Sequence, residues 1–553
     1  MVAHFSYLSL RGVGDFMNPA SSSLRQSSVM AQRNLTFSRL PLPAIALLLI
    51  SGSFSLLWSH YKLLAGDEFY EVWTDSAPSI RQLFDIQRNY PVALDPFAYH
   101  AIAHAAIRVF GVNAFAIRLP SILGVLLMQV CLFVFLRRIS TERVALFALG
   151  FTAFTCTPHY SIEGRPYGLM LGLFGLAMVS WQTAVRREKG RTIALVILAL
   201  SITVALNTHY FGILLLIPLC IAELFRALKV RRFDFPMFAT IGAGAAGILF
   251  VLPFMKAARE FHSAYGSWNM LKLKAIGWTY LWVLSNHSGT LDRVIFAVVL
   301  ICVCVALWAS IYRLRSMTIT QLEPDEVFIV AITALPLFGF LLAWFNSSVL
   351  EPRFVIAVVI GISALTASGI FSLFPSDRAK RFILTTLFLA IASTGFAHIY
   401  LERIAAEKTL SSMALSPEIK AELTTSPNKE LYIQDIGMFG SATFYEPDPN
   451  MRSRLVLVYS ADQEIKWNQE NVISATAIHL SRFTHLKTIP YESLTMQSGS
   501  LIFVDYDRAL KTVGWNWLAK AFDATHAEVK PLGSAFCGNC EVMGDVVSVR
   551  FHP

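Results

Sequence analysis

The chain has 553 residues, of which 55% are hydrophobic and only 15% charged, against about 25% charged in ordinary soluble domains. Single soluble cores stop growing beyond roughly 250–300 residues, so 41 Phe and 11 Trp need a solvent other than water, and both a soluble globule and a disordered chain are excluded. The net charge of +9 then reads as Lys and Arg gathered in the cytoplasmic loops of a membrane protein rather than as a nucleic-acid surface.

Residues 1–40 are Ser-rich, set Arg11, Arg25, Arg33 and Arg39 against a single acid, Asp15, and predict a disordered cytoplasmic tail. Eleven apolar runs follow, near 41–62, 119–136, 144–158, 167–185, 192–208, 210–225, 237–255, 293–311, 327–345, 354–374 and 382–400. Each is read as a helix crossing a hydrocarbon core of about 30 Å. They predict an all-α polytopic bundle over 41–400. The first run lacks a small-residue cleavage site and is read as a retained helix. Every second connection is basic: Arg137, Arg138 and Arg143, then Arg186, Arg187, Lys189 and Arg191, then Arg226, Lys229, Arg231 and Arg232, then Arg313 and Arg315, then Arg378, Lys380 and Arg381. The positive-inside rule places these and the N-terminus in the cytoplasm, and 63–118, 159–166, 207–210, 256–292 and 346–353 outside.

In the first external loop, Ile80, Leu83 and Phe84, then Ala101, Ile102, Ala105, Ile107 and Phe110, recur at helical spacing, with Arg81, Asp85, Arg88, His104 and Arg108 between them. They predict interfacial helices that wall a cavity over the outer span ends. Ionisable residues are costly at membrane depth, so those at span ends are functional candidates. Four clusters qualify: Gly66-Asp67-Glu68, His159 to Tyr167, Asn207-Thr208-His209-Tyr210 and Glu351-Pro352-Arg353. Each also has a structural reading. Asp67 and Glu68 suit a solvated helix start, Glu163 and Arg165 an interfacial ion pair, His209 a hydrogen-bonded hairpin and Arg353 a snorkelling cation.

Beyond Tyr400 the composition becomes soluble, and the odd span count puts residues 401–553 outside. Strand-like runs at 431–434, 455–459, 501–504 and 546–549 alternate with helical stretches near 471–482 and 511–523, predicting a mostly parallel α/β layer. No glycine-rich loop follows a strand, so no nucleotide site is assigned. Cys131, Cys156, Cys220, Cys302 and Cys304 fall in apolar spans and read as small buried hydrophobes. Cys537-Gly538-Asn539-Cys540 reads as a local disulfide, with a redox or metal role as the alternative.

Several of these motifs occur together in one family. The acidic pair after the first span, Asn89-Tyr90-Pro91, Asp95-Pro96-Phe97-Ala98-Tyr99-His100, Gly111 and Arg118-Leu119-Pro120-Ser121 resemble the polytopic GT-C glycosyltransferases that use polyprenyl-phosphate sugars. These include protein O-mannosyltransferases, aminoarabinose transferases of lipid A and lipopolysaccharide-core transferases. Tyr160 to Leu169, His209-Tyr210-Phe211 and Pro352-Arg353-Phe354 are similar to the family's later motifs. The resemblance spans about 41–400. It implies a multi-pass protein of a bacterial inner or plasma membrane, moving a hexose or pentose from a lipid phosphate to a hydroxyl of a glycan, lipid or protein, with inversion. Asp67 is implied as base, with Glu68 orienting it or binding a metal, and a divalent cation stays open. Two adjacent carboxylates in a low-dielectric cleft are expected to push one pKa upward. Glu163 and Tyr167 are implied at the sugar or acceptor, His209 and Tyr210 beside them, and Arg353 and Arg165 at the phosphate, where a guanidinium fork fits. Lys272 and Lys274 are secondary phosphate candidates. The alternative reading is a transporter or flippase for a lipid-linked substrate, with functional charges inside the spans.

Overall fold

The computed structural model describes residues 40–551, apart from 187–188, 266–270, 285–289, 316–317, 319–320, 346–349, 414–422, 425–428, 498, 507–516 and 539–541. The predicted tail up to residue 39 and Cys540 therefore lie outside the described residues, and nothing is said of the Cys537 side chain.

Prolines and short polar caps start the apolar runs. Helix α1 (Leu42–Tyr61) opens behind Pro41, where a missing N–H costs nothing. In the first loop come α2 (Glu68–Asp75), α3 (Ile80–Asn89) and α4 (Phe97–Phe110), helical where the spacing predicts helices. Helix α5 (Ala114–Ile139) is capped by Asn113, whose side chain accepts from the Ala116 N–H at 2.9 Å, satisfying one of the orphan donors of a helix start. The bundle continues with α6 (Glu142–Phe151), α7 (Tyr167–Val185), α8 (Arg191–Leu206), α9 (Leu216–Val230), α10 (Phe235–Ala245), α11 (Leu252–His262), α12 (Lys274–Val283), α13 (Thr290–Arg315), α14 (Pro324–Thr333), α15 (Leu335–Phe345), α16 (Val358–Leu373) and α17 (Asp377–Met413).

All eleven predicted runs are helical, but eleven full spans are not reached. Among the described residues, six helices are long and apolar enough to cross a membrane, or eight if two bent pairs each count as one. The pairs bend by 56° where 235–250 meets α11 and by 53° between α14 and α15, at Pro253 and Pro336, as helix-breaking proline requires. Helices α8 and α16 are shorter and apolar. Cys220 and Cys304 are exposed on the bundle surface, not buried as expected, since an apolar span has a lipid-side face as well as a packed one.

The two ends of the bundle differ. At one, the basic connections pair with acids: Arg143 with Asp377 at 2.5 Å, Arg186 with Asp325 at 3.4 Å, Arg191 with Asp234 at 2.7 Å and Arg313 with Glu326 at 3.2 Å. At the other the candidate site assembles. Helices α5 and α7 cross closely, through glycines. A Cβ on Gly168 would lie 2.6 Å from the Ser121 carbonyl oxygen, and one on Gly172 2.6 Å from that of Gly124. Small residues at this spacing let helix backbones touch where lipid offers no hydrophobic drive.

The C-terminal domain holds one six-stranded sheet of β1 (Leu431–Ile433), β2 (Leu455–Tyr459), β3 (Lys487–Pro490), β4 (Ser500–Tyr506), β5 (Glu528–Gly538) and β6 (Val542–Arg550), in the order β3-β2-β1-β4-β6-β5. The first four strands run parallel, as the alternation predicted, and β5 and β6 add an antiparallel edge. Helices α18 (Ile436–Tyr445), α19 (Ala461–Asn468), α20 (Val472–Phe483) and α21 (Trp517–Ala524) cover it, with one core around Leu431, Phe439 and Leu480 and another around Phe503, Trp517 and Phe522.

Candidate active site

The chain leaves α1 and turns at Gly66, whose φ of 50° is left-handed and free of strain only for glycine. That turn delivers Asp67 and Glu68 to the start of α2 pointing different ways.

Glu68 points inward to Arg118, which is fully buried. Arg118 Nε and Nη2 donate to the two Glu68 oxygens at 2.8 Å each. Its Nη1 donates to the Ser59 and Lys62 carbonyls at 2.9 and 2.7 Å, and Nη2 also to that of Leu63 at 3.0 Å. All five guanidinium hydrogens are thus used, and the open carbonyls at the end of α1 are closed. Glu68 further accepts from the Gly164 N–H at 2.8 Å and the Ala65 N–H at 3.2 Å. With four donors on two oxygens, Glu68 keeps no lone pair for a metal and no contact that orients Asp67. Here the geometry departs from the sequence expectation, because that reading could not foresee a buried arginine fifty residues away.

Asp67 points outward. Its Oδ2 accepts from Arg165 Nη1 and lies 3.3 Å from Arg353 Nη1. The Asp67 side chain is 44% exposed, Arg353 27% and Arg165 14%, so the carboxylate stands at the mouth and the cations behind it. Burial raises the Asp67 carboxyl, but the two arginines outweigh it and hold it below the usual carboxylate range. Glu68 is likewise held low, as Arg118 outweighs burial. The expected upward push between adjacent acids is absent, because each has its own guanidinium.

Four segments meet around this clamp. Arg165 also faces Glu71 Oε1 at 3.4 Å and Asp95 Oδ2 at 3.7 Å, and Arg353 pairs with Glu351 at 2.6 Å. The Tyr167 ring lies 5.6 Å from the Arg165 guanidinium and 5.8 Å from that of Arg353, a cation–π seat for both. Behind it stand His209, 5.4 Å from the Tyr167 ring, and Phe354, 5.3 Å from His209. His209 Nδ1 accepts from the Phe211 N–H at 3.1 Å, which puts its proton on Nε2. Burial holds this imidazole neutral, down to about 4. Glu163 Oε2 is buried without a hydrogen-bond partner among the described residues, and burial raises its carboxyl.

Asp67, Arg165, Tyr167, His209 and Arg353 are therefore brought together, and Glu163 is near enough to feel the charges of Arg165 and Arg353. Tyr210 sits at the rim, 36% exposed. Lys272 and Lys274 are exposed at the start of α12, and among the described residues no ion pair joins them to the cluster. The sequence reading named Arg118 only within a motif, with no role, and left out the inner acids Glu71 and Asp75. The acids were findable: Glu68, Glu71 and Asp75 fall at i, i+3 and i+7, one face of a helix.

With this geometry, comparison with solved structures decides the fold. ArnT from Cupriavidus metallidurans in the apo state superimposes with a TM-score of 0.58 and 13% identity, over 91% of this chain and 97% of that one. The same protein bound to undecaprenyl phosphate matches with a TM-score of 0.58 and 12% identity, again over 91% and 97%. The fold is that of ArnT. Residues 95–255 match the model of the dolichyl-phosphate-mannose-protein mannosyltransferase family, a segment that contains Asp95, Arg118, Glu163, Arg165, Tyr167 and His209. Comparison by sequence with curated proteins finds no match. The resemblance read from sequence thus stands for the fold.

Proposed function

We propose that the chain transfers a sugar from a polyprenyl-phosphate donor to a hydroxyl acceptor at the external face, with inversion at the anomeric carbon. The observation that carries this reading is one carboxylate, Asp67, half-open to solvent and held by two guanidiniums, Arg165 and Arg353. A transporter has no need of such a base. Undecaprenyl phosphate in the similar ArnT fold and the lipid-phosphate donor in the matching family's description support the donor class.

The donor phosphate binds between Arg165 and Arg353 and takes over their hydrogen bonds from Asp67. Freed of its cations, the carboxylate gains basicity when an acceptor hydroxyl arrives. Asp67 accepts the hydroxyl proton, the acceptor oxygen bonds to the anomeric carbon, and the bond from that carbon to the phosphate oxygen breaks on the opposite side. Polyprenyl phosphate leaves with the electron pair, its charge met by the two arginines on their Tyr167 seat. Glu163, with a free oxygen, accepts a hydroxyl of the sugar or acceptor.

The test is Asp67→Asn with a polyprenyl-phosphate sugar and a hydroxyl acceptor. Polyprenyl-phosphate release falls by about 10²–10⁴-fold, the contribution of a general base, while lipid-phosphate binding is kept or tightened because the competing charge is gone. Near-normal release in Asp67→Asn, or transport of an intact lipid-linked sugar without transfer, rejects the proposal.

A further inference from the structure

Behind the arginines, one helical turn deeper, lies a second cluster that transfer does not use. Glu71 and Asp75 on α2 and His100 on α4 converge with side chains that are 1%, 0% and 0% exposed. His100 Nε2 is 3.1 Å from the Asp95 carbonyl oxygen and donates its proton there. Its Nδ1 lies 2.8 Å from Asp75 Oδ1 and 3.3 Å from Glu71 Oε2. An imidazole nitrogen holds at most one proton, so it cannot serve both acids. Among the described residues, Glu71 Oε2, aimed at that nitrogen, and Asp75 Oδ2 have no hydrogen-bond partner, and neither has the buried hydroxyl of the adjacent Tyr99. Buried polar atoms are nearly always satisfied, and an uncompensated carboxylate out of water is costly.

We propose that Glu71, Asp75 and His100 form a structural divalent-metal site, with Zn²⁺ as its preferred ion. One donor atom from each residue lies within 4.8 Å of the others. The 3.3 Å between His100 Nδ1 and Glu71 Oε2 matches the edge of about 3.3 Å expected between ligands of a tetrahedral zinc bonded at about 2.0–2.1 Å. The Asp75 edge needs to open by about 0.5 Å to reach it. Two carboxylates and a neutral imidazole balance a divalent charge, whereas a protonated His100 leaves the pair one positive charge short. The Nε2 proton on a backbone carbonyl is the outer bond that orients a metal-bound histidine. A nitrogen ligand favours Zn²⁺ over the oxygen-seeking Mg²⁺ and Ca²⁺. Such an ion ties α2 to α4, and through the other oxygen of Glu71 it supports Arg165. This inference does not depend on the transfer reading.

Metal analysis of the full chain, purified in detergent without chelator and then loaded with ZnCl₂ under excess Mg²⁺, tests it. The wild type holds about one zinc per chain, and zinc raises the melting temperature of the metal-depleted protein. His100→Gln and Asp75→Asn each lose both the zinc and the shift, with two variants made so that one misfolding does not decide the outcome. Asp67→Asn and the double variant Cys537→Ser, Cys540→Ser keep them. A wild type that takes up less than about a tenth of an equivalent, zinc retained in His100→Gln, or zinc lost with the cysteines overturns the proposal.

Discussion

Asp67 and Glu68 are neighbours in the chain with opposite tasks, and their surroundings separate them. Glu68 and Arg118 form a buried pair with every hydrogen-bonding position filled, so breaking it leaves a charge without a partner in a dry site. Arg118→Met should lower stability by about 3–5 kcal/mol, the usual cost of orphaning a buried ion, read as a fall in melting temperature without any ligand present. The same arithmetic does not apply to Asp67, which is 44% exposed and can be hydrated when its arginines are gone. Asp67→Asn should melt close to wild type. Sequence reading reached the four clusters because ionisable residues stand out against apolar runs. The resemblance put Asp67 ahead of Glu68 as base, but it could not show that Glu68 is paired with Arg118, whose position behind Glu68 is a product of the fold.

Helices α5 and α7 carry the site at their ends, Arg118 on one and Tyr167 on the other, and the glycine contact between them sets the spacing. Gly172→Val should push the helices apart and cost at least about 1–3 kcal/mol, the range for overpacking a filled interface. It should also lower transfer more than donor binding, because Arg118 and Tyr167 shift together. In the C-terminal domain, α19 offers a pH test. Glu464 is 1% exposed, and burial lifts its carboxyl to about 7 from a usual 4.5, despite the Ser474 and Ser460 donors. The folded state therefore binds this proton more tightly than the unfolded chain. The added stability is complete below about 4.5 and is lost as pH rises through about 7, a fall of roughly 3 kcal/mol. Thermal melts between about pH 5 and pH 8 should slope downward, and Glu464→Gln should flatten the slope.

At the scale of the molecule, the C-terminal domain packs against the helix at whose start the candidate site lies. Tyr445 of α18 accepts from the Leu64 N–H at 2.6 Å. Phe439 and Phe444 of the same helix pack on Trp73 and Phe69 of α2. His479 Nδ1 donates to the Pro91 carbonyl at 2.8 Å, and the Asn471 N–H to that of Ala264 at 2.9 Å. A chain truncated after α17 should therefore lose transfer to every acceptor and melt lower, as measured by donor turnover and thermal denaturation of the shortened protein. Survival of donor turnover with only the acceptor range altered would show that α2 holds its position unaided. Sequence alone read residues 401–553 as a separate soluble α/β domain, because the composition changes sharply after Tyr400. The parallel strands and the helical bundle were legible from periodicity. The join between them was not, since it is made by single side chains such as Tyr445 and His479 that carry no local pattern.

The sandwiching of α2 between the bundle and α18 bears on how such proteins can diversify by recombination. A crossover at the compositional boundary near residue 400 would pair one parent's Phe69 and Trp73 with another parent's Phe439 and Phe444, and the reactive helix would inherit a mismatched bed. The heritable unit is discontinuous: the first loop travels with the C-terminal domain's α18, although more than three hundred residues separate them in the chain. A chimaera respecting that unit, exchanging residues 63–118 together with 431–551, keeps α2 and α18 from one ancestor and the sheet whole.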